Sequence, residues 1–473
     1  MSSVEIPLSS LRSKPSTALE LQNNESMADT PQRRIGVTTM GCKVNTFESE
    51  LISETFRTND WAVVSAKEAA DMYIINTCTV TQEADRQARR EVRKVVKTNP
   101  DALVVVTGCY AQMDADACAA IPGVDLVVGN DRKLDIHSLM PELEAGELPK
   151  VLVGDLDQHV SLPEELLTGY EAHTRAFVQI QQGCNQGCTF CIIHRARGPS
   201  RSLAPTLIRR QVERLAMNNY PEVVICGVDL GSYGDDFPDT AERAYDLVDL
   251  LQELLGLNVD GNPDFRIRLS SIDPAHISDR LIKLMASEPR LCPQLHLSLQ
   301  SGSTLILKRM KRRYDRDHVY ERINRLRQHL PDLVLSADVM VGFPTETEEQ
   351  YLETEQTVID LDIAFPHIFT YSDRSGTPAA RIPEAKQVPT QERKARAARL
   401  KAVASKLQAD LHHSRLGETA WVLPENSSNS ELRARSEDYL TVTLEGGDFE
   451  PGQWQQVVYT QINNNRLIAR KST

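Results

Sequence analysis

From Arg34 onward the chain alternates short β-branched apolar runs with stretches of helical periodicity. IGVTTMGC (35–42), MYIINTC (72–78), ALVVVTGC (102–109) and DLVVGN (125–130) are each long enough for a buried strand and too short for a helix. Helical patterns separate them, notably EADRQARREVRKVVK (83–97). Buried strands alternating with helices predict a parallel sheet covered on both faces. In such sheets the working groups collect at the C-terminal strand ends, where Cys42, Cys78 and Cys109 fall. Residues 141–172 carry several acids and few apolar repeats, the pattern of a linker or crossover.

The rhythm then resumes six times, at 176–184, 222–233, 265–274, 294–303, 334–346 and 364–377. Each apolar run ends in a cluster of Gly, Ser, Asp or Pro and leads into a helical stretch, which predicts a barrel with its active face built from those C-terminal loops. Six units rather than eight favour an open, partial barrel. After the basic helical pattern at 391–411, the runs TAWVLPE (419–425), YLTVTLEG (439–446) and WQQVVYTQI (454–462) predict a small all-β module. The expected fold is therefore α/β: an N-terminal parallel-sheet domain at 34–150, a central partial (βα)6 barrel at 170–405 and a C-terminal β module at 411–473. Residues 1–33, rich in Ser, Asn, Glu and Pro, have the composition of a mobile tail, within which Met27 is a plausible alternative start.

Composition narrows the function. A length of 473 residues suits about three domains. No apolar run approaches the roughly 18 residues of a membrane helix, so no membrane partner is expected. A formal charge of −13 argues against a protein that coats nucleic acid indiscriminately, and confines any such contact to local basic patches. The N-terminus lacks the apolar core of an export signal. Nine Cys in such a chain point to a reducing cytoplasm and to metal or redox chemistry rather than disulfides.

The densest chemistry lies in GCNQGCTFCIIHRARGPSRS (183–202), where Cys184, Cys188 and Cys191 stand in a C-x3-C-x2-C spacing just after the first barrel strand. Three thiolates this close can hold one face of an iron–sulfur cube and leave the fourth iron open to chelate a substrate or cofactor. A zinc site completed by a residue such as His194, or buried thiols without metal, are the competing readings. A place at a barrel mouth favours the cluster. The spacing resembles the signature of the radical S-adenosylmethionine superfamily. That resemblance implies that Cys184, Cys188 and Cys191 are catalytic ligands. It also implies that the open iron binds the amino and carboxylate groups of S-adenosylmethionine, and that reductive cleavage gives a 5′-deoxyadenosyl radical.

Cys42, Cys78 and Cys109 are too widely separated for a local metal knuckle. Small core residues and ligands gathered by topology both fit them. Their surroundings, TMGCKVNTFESE (39–50), NTCTVT (76–81) and GCYAQ (108–112), resemble the N-terminal domain of the methylthiotransferases. This implies that the three Cys bind a second [4Fe-4S] cluster. The resemblance covers nearly the whole chain past residue 33 and extends to a C-terminal module similar to the TRAM domain. GCKVN (41–45) and CTFCIIHRARGPSRS (188–202) are most similar to the branch that modifies N6-threonylcarbamoyladenosine in tRNA. Branches acting on isopentenyladenosine or on a ribosomal-protein aspartate usually carry other residues after GC. Phe190 stands where the family often has Tyr.

The implied reaction places a methylthio group on adenine C2, an unactivated carbon with no acid–base handle, where cofactors supply the hard step. One S-adenosylmethionine would donate a methyl group to sulfur associated with the cluster of Cys42, Cys78 and Cys109. A second would be cleaved at the other cluster, its radical removing the C2 hydrogen. The implied partners are a tRNA anticodon loop, from which a base can unstack, S-adenosylmethionine, and an unidentified electron donor and sulfur source. A zinc-holding tRNA-binding protein without chemistry is the alternative from another class.

The loops after successive strands hold candidate cofactor contacts: Gly227, Asp229 and Ser232, then Ser271, then Ser298 and Gln300, then Asp338. Gly and small hydroxyl residues there allow close backbone approach, and ordinary turn chemistry selects the same types. Cys118, Cys226 and Cys292 fit core packing, and His296 fits a satisfied barrel-interior histidine. Three basic segments are candidate phosphate contacts: the stripe Arg86, Arg90, Arg93 and Lys97, KRMKRRYDR (308–316) and RKARAARLK (393–401). The segment 411–473 holds six Lys+Arg against eight Asp+Glu, which limits what a TRAM-like module can add to tRNA affinity.

Overall fold

The computed structural model describes residues 32–157, 166–170, 173–238, 244–425 and 432–472. The expected tail 1–33 lies almost wholly outside them. The first unit is a six-stranded, all-parallel sheet in the order β2-β1-β3-β4-β5-β6, formed by β1 (Arg34–Thr39), β2 (Ala62–Val64), β3 (Met72–Thr77), β4 (Leu103–Gly108), β5 (Leu126–Val128) and β6 (Val151–Leu152). Strict alternation sends Tyr73, Ile75, Val104 and Val106 to one helix-covered face and Met72, Ile74, Val105 and Leu126 to the other. Residues 141–172 are not simply a linker: Val151 and Leu152 extend the sheet at its edge. Edge strands of two or three residues are too short to show a hydrophobic period, so β2 and β6 left no sequence pattern.

The central unit carries the six expected parallel strands. These are β7 (Ala176–Gln182), β9 (Glu222–Gly227), β10 (Arg266–Leu269) continued as β11 (Ser271–Ile272), β12 (Gln294–Gln300), β13 (Val334–Val341) and β14 (Phe365–Thr370). A two-residue β8 (Arg201–Ser202) folds back antiparallel on β7. β10 pairs with β9 while β11, one residue on, pairs with β12, so a single extended segment joins the two four-stranded sheets into an open curved wall. Leu295, Leu297, Leu299, Leu335, Ala337 and Val339 face the covering helices in the largest core. Ile306, Met310, Met340, Phe343 and Tyr371 form a smaller one, with Phe190 and Phe369 against it.

A 25-residue helix, Thr390–Ser414, leads to a closed five-stranded barrel of β15 (Thr419–Glu425), β16 (Arg433–Ser436), β17 (Thr441–Leu444), β18 (Gln455–Asn463) and β19 (Arg466–Lys471). Two of its strands, β16 and β19, lie in polar, Arg-containing text that gave no apolar run. The module packs under the N-terminal ends of the central strands: Trp454 Nε1 donates to Pro221 O at 3.0 Å, Arg268 to Glu437 O at 3.0 Å, and Arg175 pairs with Glu425 at 3.1 Å. It thus sits at the opposite end of the strands from the Cys184 loop. Among the described residues no helix is long and apolar enough to cross a membrane.

Candidate functional site

Neighbouring parallel strands bring Cys42, Cys78 and Cys109 together. β1, β3 and β4 end level with one another, Thr39 opposite Asn76 and Thr77 opposite Gly108, and each Cys follows within a few residues. Cys42 stands immediately before the helix Lys43–Thr58, Cys78 directly after β3, and Cys109 opens the short helix Cys109–Met113. The approach depends on glycine. Gly41 has φ +95°, and a Cβ there would lie 2.7 Å from Cys78 Cβ and 2.9 Å from its sulfur. Burial, helped by the neighbouring Cys109, pushes the Cys78 thiol up to about 12.

Cys184, Cys188 and Cys191 occupy the loop that leaves β7. Backbone N–H groups of Gln186 and Ile193 donate to the sulfurs of Cys184 (3.5 Å) and Cys191 (3.4 Å), and the Arg312 guanidinium to that of Cys188 (3.4 Å). Burial and the Asp229 carboxylate raise the Cys184 thiol to about 12. Burial raises Cys191 to about 11, and Cys188 and Cys109 add to it, so the two triads are near enough to feel each other's charge.

A buried polar network ties the triads together. Arg197, six residues past Cys191, donates to both carboxylate oxygens of Glu48 (2.8 and 2.9 Å) and to Asn45 Oδ1 in the helix that follows Cys42. Lys133 reaches the same carboxylate at 2.6 Å. Asn45 donates onward to the carbonyls of Met40 (2.7 Å) and Thr77 (3.0 Å), which flank Cys42 and Cys78. Asn130 donates to Ala196 O at 2.6 Å and to the sulfur of Cys109 at 3.8 Å. Burial would raise the Glu48 carboxyl, but the two cations outweigh it and hold it at about 2.

The donor set fits iron–sulfur clusters. All nine cysteines are free thiols. Each triad offers three sulfurs, with no disulfide to consume them and with N–H donors aimed at several of them. A zinc ion with sulfurs about 2.3 Å away needs donors closed tightly around one point. Among the described residues the group that closes so tightly is His296, Asp338 and His367, not a Cys triad. Bound iron would supply positive charge that favours the thiolate forms of Cys78, Cys184 and Cys191, which their surroundings otherwise disfavour.

The expected cofactor contacts divide. Asp229 accepts from Gln186 Nε2 (2.7 Å) and Ser232 Oγ (3.0 Å) beside Cys184, and its own N–H donates to Gln181 Oε1 (2.8 Å). Gly227 lies against that same Gln181. The Ser298 carbonyl accepts from Arg312 (2.9 Å) and Tyr314 (2.7 Å). Gln300 is held at φ +64° with its Oε1 buried and unpartnered. Ser271 is opposite His296 in the sheet, and Asp338 has His296 and His367 as its partners. Cys118, Cys226 and Cys292 are buried in the core, as expected.

Sequence reasoning missed Arg312 and Arg197. Both stand in basic text, and only the fold buries them against Asp273 (2.7 Å) and Glu48. The basic segments accordingly differ. Arg90, Arg93 and Lys97 lie exposed on the helix Gln82–Thr98, whose buried face is Ala88, Val92 and Val95, and among the described residues have no acidic partner. Lys308, Arg309, Lys311 and Arg313 are exposed around Arg312, whose side chain turns inward. In RKARAARLK, Arg396 is buried against Glu346 and Arg399 pairs with Glu348, whereas Lys394 and Lys401 are exposed and, among the described residues, have no acidic partner.

Residues 34–129 match the family described as "Uncharacterized protein family UPF0004", and residues 178–358 match the radical SAM superfamily. The chain is 35% identical to the threonylcarbamoyladenosine tRNA methylthiotransferase MtaB of Bacillus subtilis, covering 86% of this chain and 89% of that protein. Against the protein of the same name in Rickettsia prowazekii the identity is 37%, over 86% of this chain and 91% of that one. The chain belongs to the radical S-adenosylmethionine methylthiotransferase family. Membership makes it an enzyme, a transferase, and places both Cys triads inside the matched segments. A tRNA-2-methylthio-N(6)-dimethylallyladenosine synthase of Acidothermus cellulolyticus is 33% identical, over 92% and 88% of the two chains. The fold is shared with the radical S-adenosylmethionine methyltransferase TsrM of Kitasatospora setae, at a TM-score of 0.54 and 14% identity over 74% and 77% of the chains.

Proposed function

We propose that the chain is the tRNA methylthiotransferase that converts N6-threonylcarbamoyladenosine beside the anticodon into its 2-methylthio derivative. The observation that carries this reading is identity of 35–37%, over 86% of the chain, to two enzymes named for that substrate. Cys184, Cys188 and Cys191 hold one [4Fe-4S] cluster and Cys42, Cys78 and Cys109 a second. Together with S-adenosylmethionine, these cofactors supply methylthio transfer by radical C–H activation.

The chain's own residues position and shield. Asp229, Gln186 and Ser232 form a hydrogen-bonded wall beside Cys184, and Gln181 braces that wall through the Asp229 N–H. Arg312 supplies a fixed positive charge to Cys188. Gly227, Ser271, Ser298 and Gln300, on the strand ends and inner wall around it, are the remaining S-adenosylmethionine or substrate contacts. The buried Arg197–Glu48–Lys133 network ties the segment that follows Cys191 to the helix that follows Cys42, and so braces the two Cys triads against each other. The exposed stripe of Arg90, Arg93 and Lys97 and the 308–313 loop bind tRNA phosphates. The domain division at 34–150, 170–405 and 411–473 follows the same logic, as does work in a reducing cytoplasm with a separate electron donor.

Nucleosides from tRNA of cells lacking this chain test the substrate directly. Loss of 2-methylthio-N6-threonylcarbamoyladenosine with 2-methylthio-isopentenyladenosine unchanged is the expected result. An unchanged level of the first refutes the assignment.

A further inference from the structure

The inner wall of the half-barrel carries a second group of metal donors, distinct from the cysteines. On β12, β13 and β14 the residues Leu295, Leu297, Leu335, Ala337, Val339 and Ile368 face the helices, so alternation turns His296, Asp338 and His367 to the opposite, inner face. Parallel pairing sets Ser336 beside His296 and Asp338 beside His367. His296 Nε2 lies 3.2 Å from Asp338 Oδ1, His367 Nδ1 lies 3.5 Å from the same oxygen, and the three ligand atoms are all within 4.8 Å of one another.

These spacings exceed the roughly 2.7–2.9 Å of a charged N–H···O⁻ bond. They approach the ~3.3–3.5 Å that separates two donors each about 2.0–2.1 Å from one tetrahedral ion. The group is also held from behind. His296 Nδ1 is hydrogen-bonded to Ser336 Oγ at 2.9 Å, and Gln294 Nε2 donates to that same oxygen at 2.9 Å, which leaves Nε2 aimed at the carboxylate. Side-chain exposure rises from 11% at His296 through 30% at Asp338 to 70% at His367, so an ion has a path in and room for a further ligand.

We propose that His296, Asp338 and His367 bind a divalent transition-metal ion of the zinc class, with at least one coordination position open to the barrel interior. Two imidazoles and one carboxylate are a familiar donor set for such ions, and the open position suits an oxygen donor.

The test uses the full chain with its clusters reconstituted, loaded with zinc and desalted. Metal analysis and zinc-edge X-ray absorption are then compared for wild type, His367→Gln and Asp338→Asn. His367 is exposed, so its replacement leaves folding intact. Expected are roughly one retained zinc per chain with nitrogen and oxygen neighbours near 2.0–2.1 Å, and a loss of at least tenfold in affinity in both variants, with iron content unchanged. Sulfur neighbours near 2.3 Å, no retained zinc, or equal retention by all three proteins would overturn the proposal.

Discussion

Arg197 shows how much of this site depends on single buried charges. Its side chain, with Lys133, neutralises a Glu48 that is otherwise sealed from water. Replacing Arg197 by Met strands part of that charge, and the expected cost is about 3–5 kcal/mol, measured by denaturant unfolding. The same carboxylate sets a pH dependence. Its folded pKa, about 2, lies below the ordinary 4.5, so its stabilisation is complete above pH 4.5 and is lost as pH falls toward 2. Acid unfolding of the wild type should steepen in that window, and a Glu48→Gln, Arg197→Met pair should remove that component. Arg312 acts on the other triad. Arg312→Lys keeps a charge near Asp273 but loses the fork that joins Asp273, Ser298 O and the Cys188 sulfur. It should fold normally and lose roughly 10–100-fold in S-adenosylmethionine cleavage, measured as 5′-deoxyadenosine formed.

At the scale of elements, the sharp turn from β1 into the helix Lys43–Thr58 decides whether the first triad forms. Gly41→Ala places a methyl group at φ +95° against Cys78 and should lower iron content from about eight to about four atoms per chain. A fully loaded variant would show that the turn tolerates a side chain. The elements also mark what was legible in the chain. Runs such as MYIINTC and ALVVVTGC announce buried strands because both of their faces are apolar, and the six central strands are equally clear. β2 and β6 are too short to show a period, and β16 and β19 carry Arg and Lys on the outside of a small barrel. The cysteine spacing was local and readable at 184–191. At 42, 78 and 109 it becomes a triad only after three parallel strands align. Arg197 and Arg312 were hidden for a different reason: basic residues in basic text look solvated, and only tertiary packing reveals which of them are buried against a carboxylate.

On the scale of the whole molecule, a net charge of −13 confines tRNA contact to the few places where basic side chains lack acidic partners. The helix Gln82–Thr98 and the 308–313 segment qualify most fully, whereas at 393–401 two of the five cations, Arg396 and Arg399, are held in ion pairs. Replacing Arg90, Arg93 and Lys97 by Ala should weaken tRNA binding without changing which tRNA is chosen. The slope of log affinity against log salt should fall by about one for each lost phosphate contact. An unchanged slope would move the binding face elsewhere. The C-terminal barrel packs beneath the strands, at the end opposite the cysteine loop, and supports the frame that carries the site. The central claim is that both cysteine triads serve one reaction on a threonylcarbamoylated adenosine. It is tested most directly by incubating the anaerobically reconstituted, reduced chain with S-adenosylmethionine and tRNA that carries or lacks the threonylcarbamoyl group, and following the nucleosides by mass. The account predicts 5′-deoxyadenosine together with the 2-methylthio product on the modified tRNA alone, and loss of that product in both Cys78→Ala and Cys188→Ala. Methylthiolation of tRNA lacking the group, or full product from either variant, would contradict it.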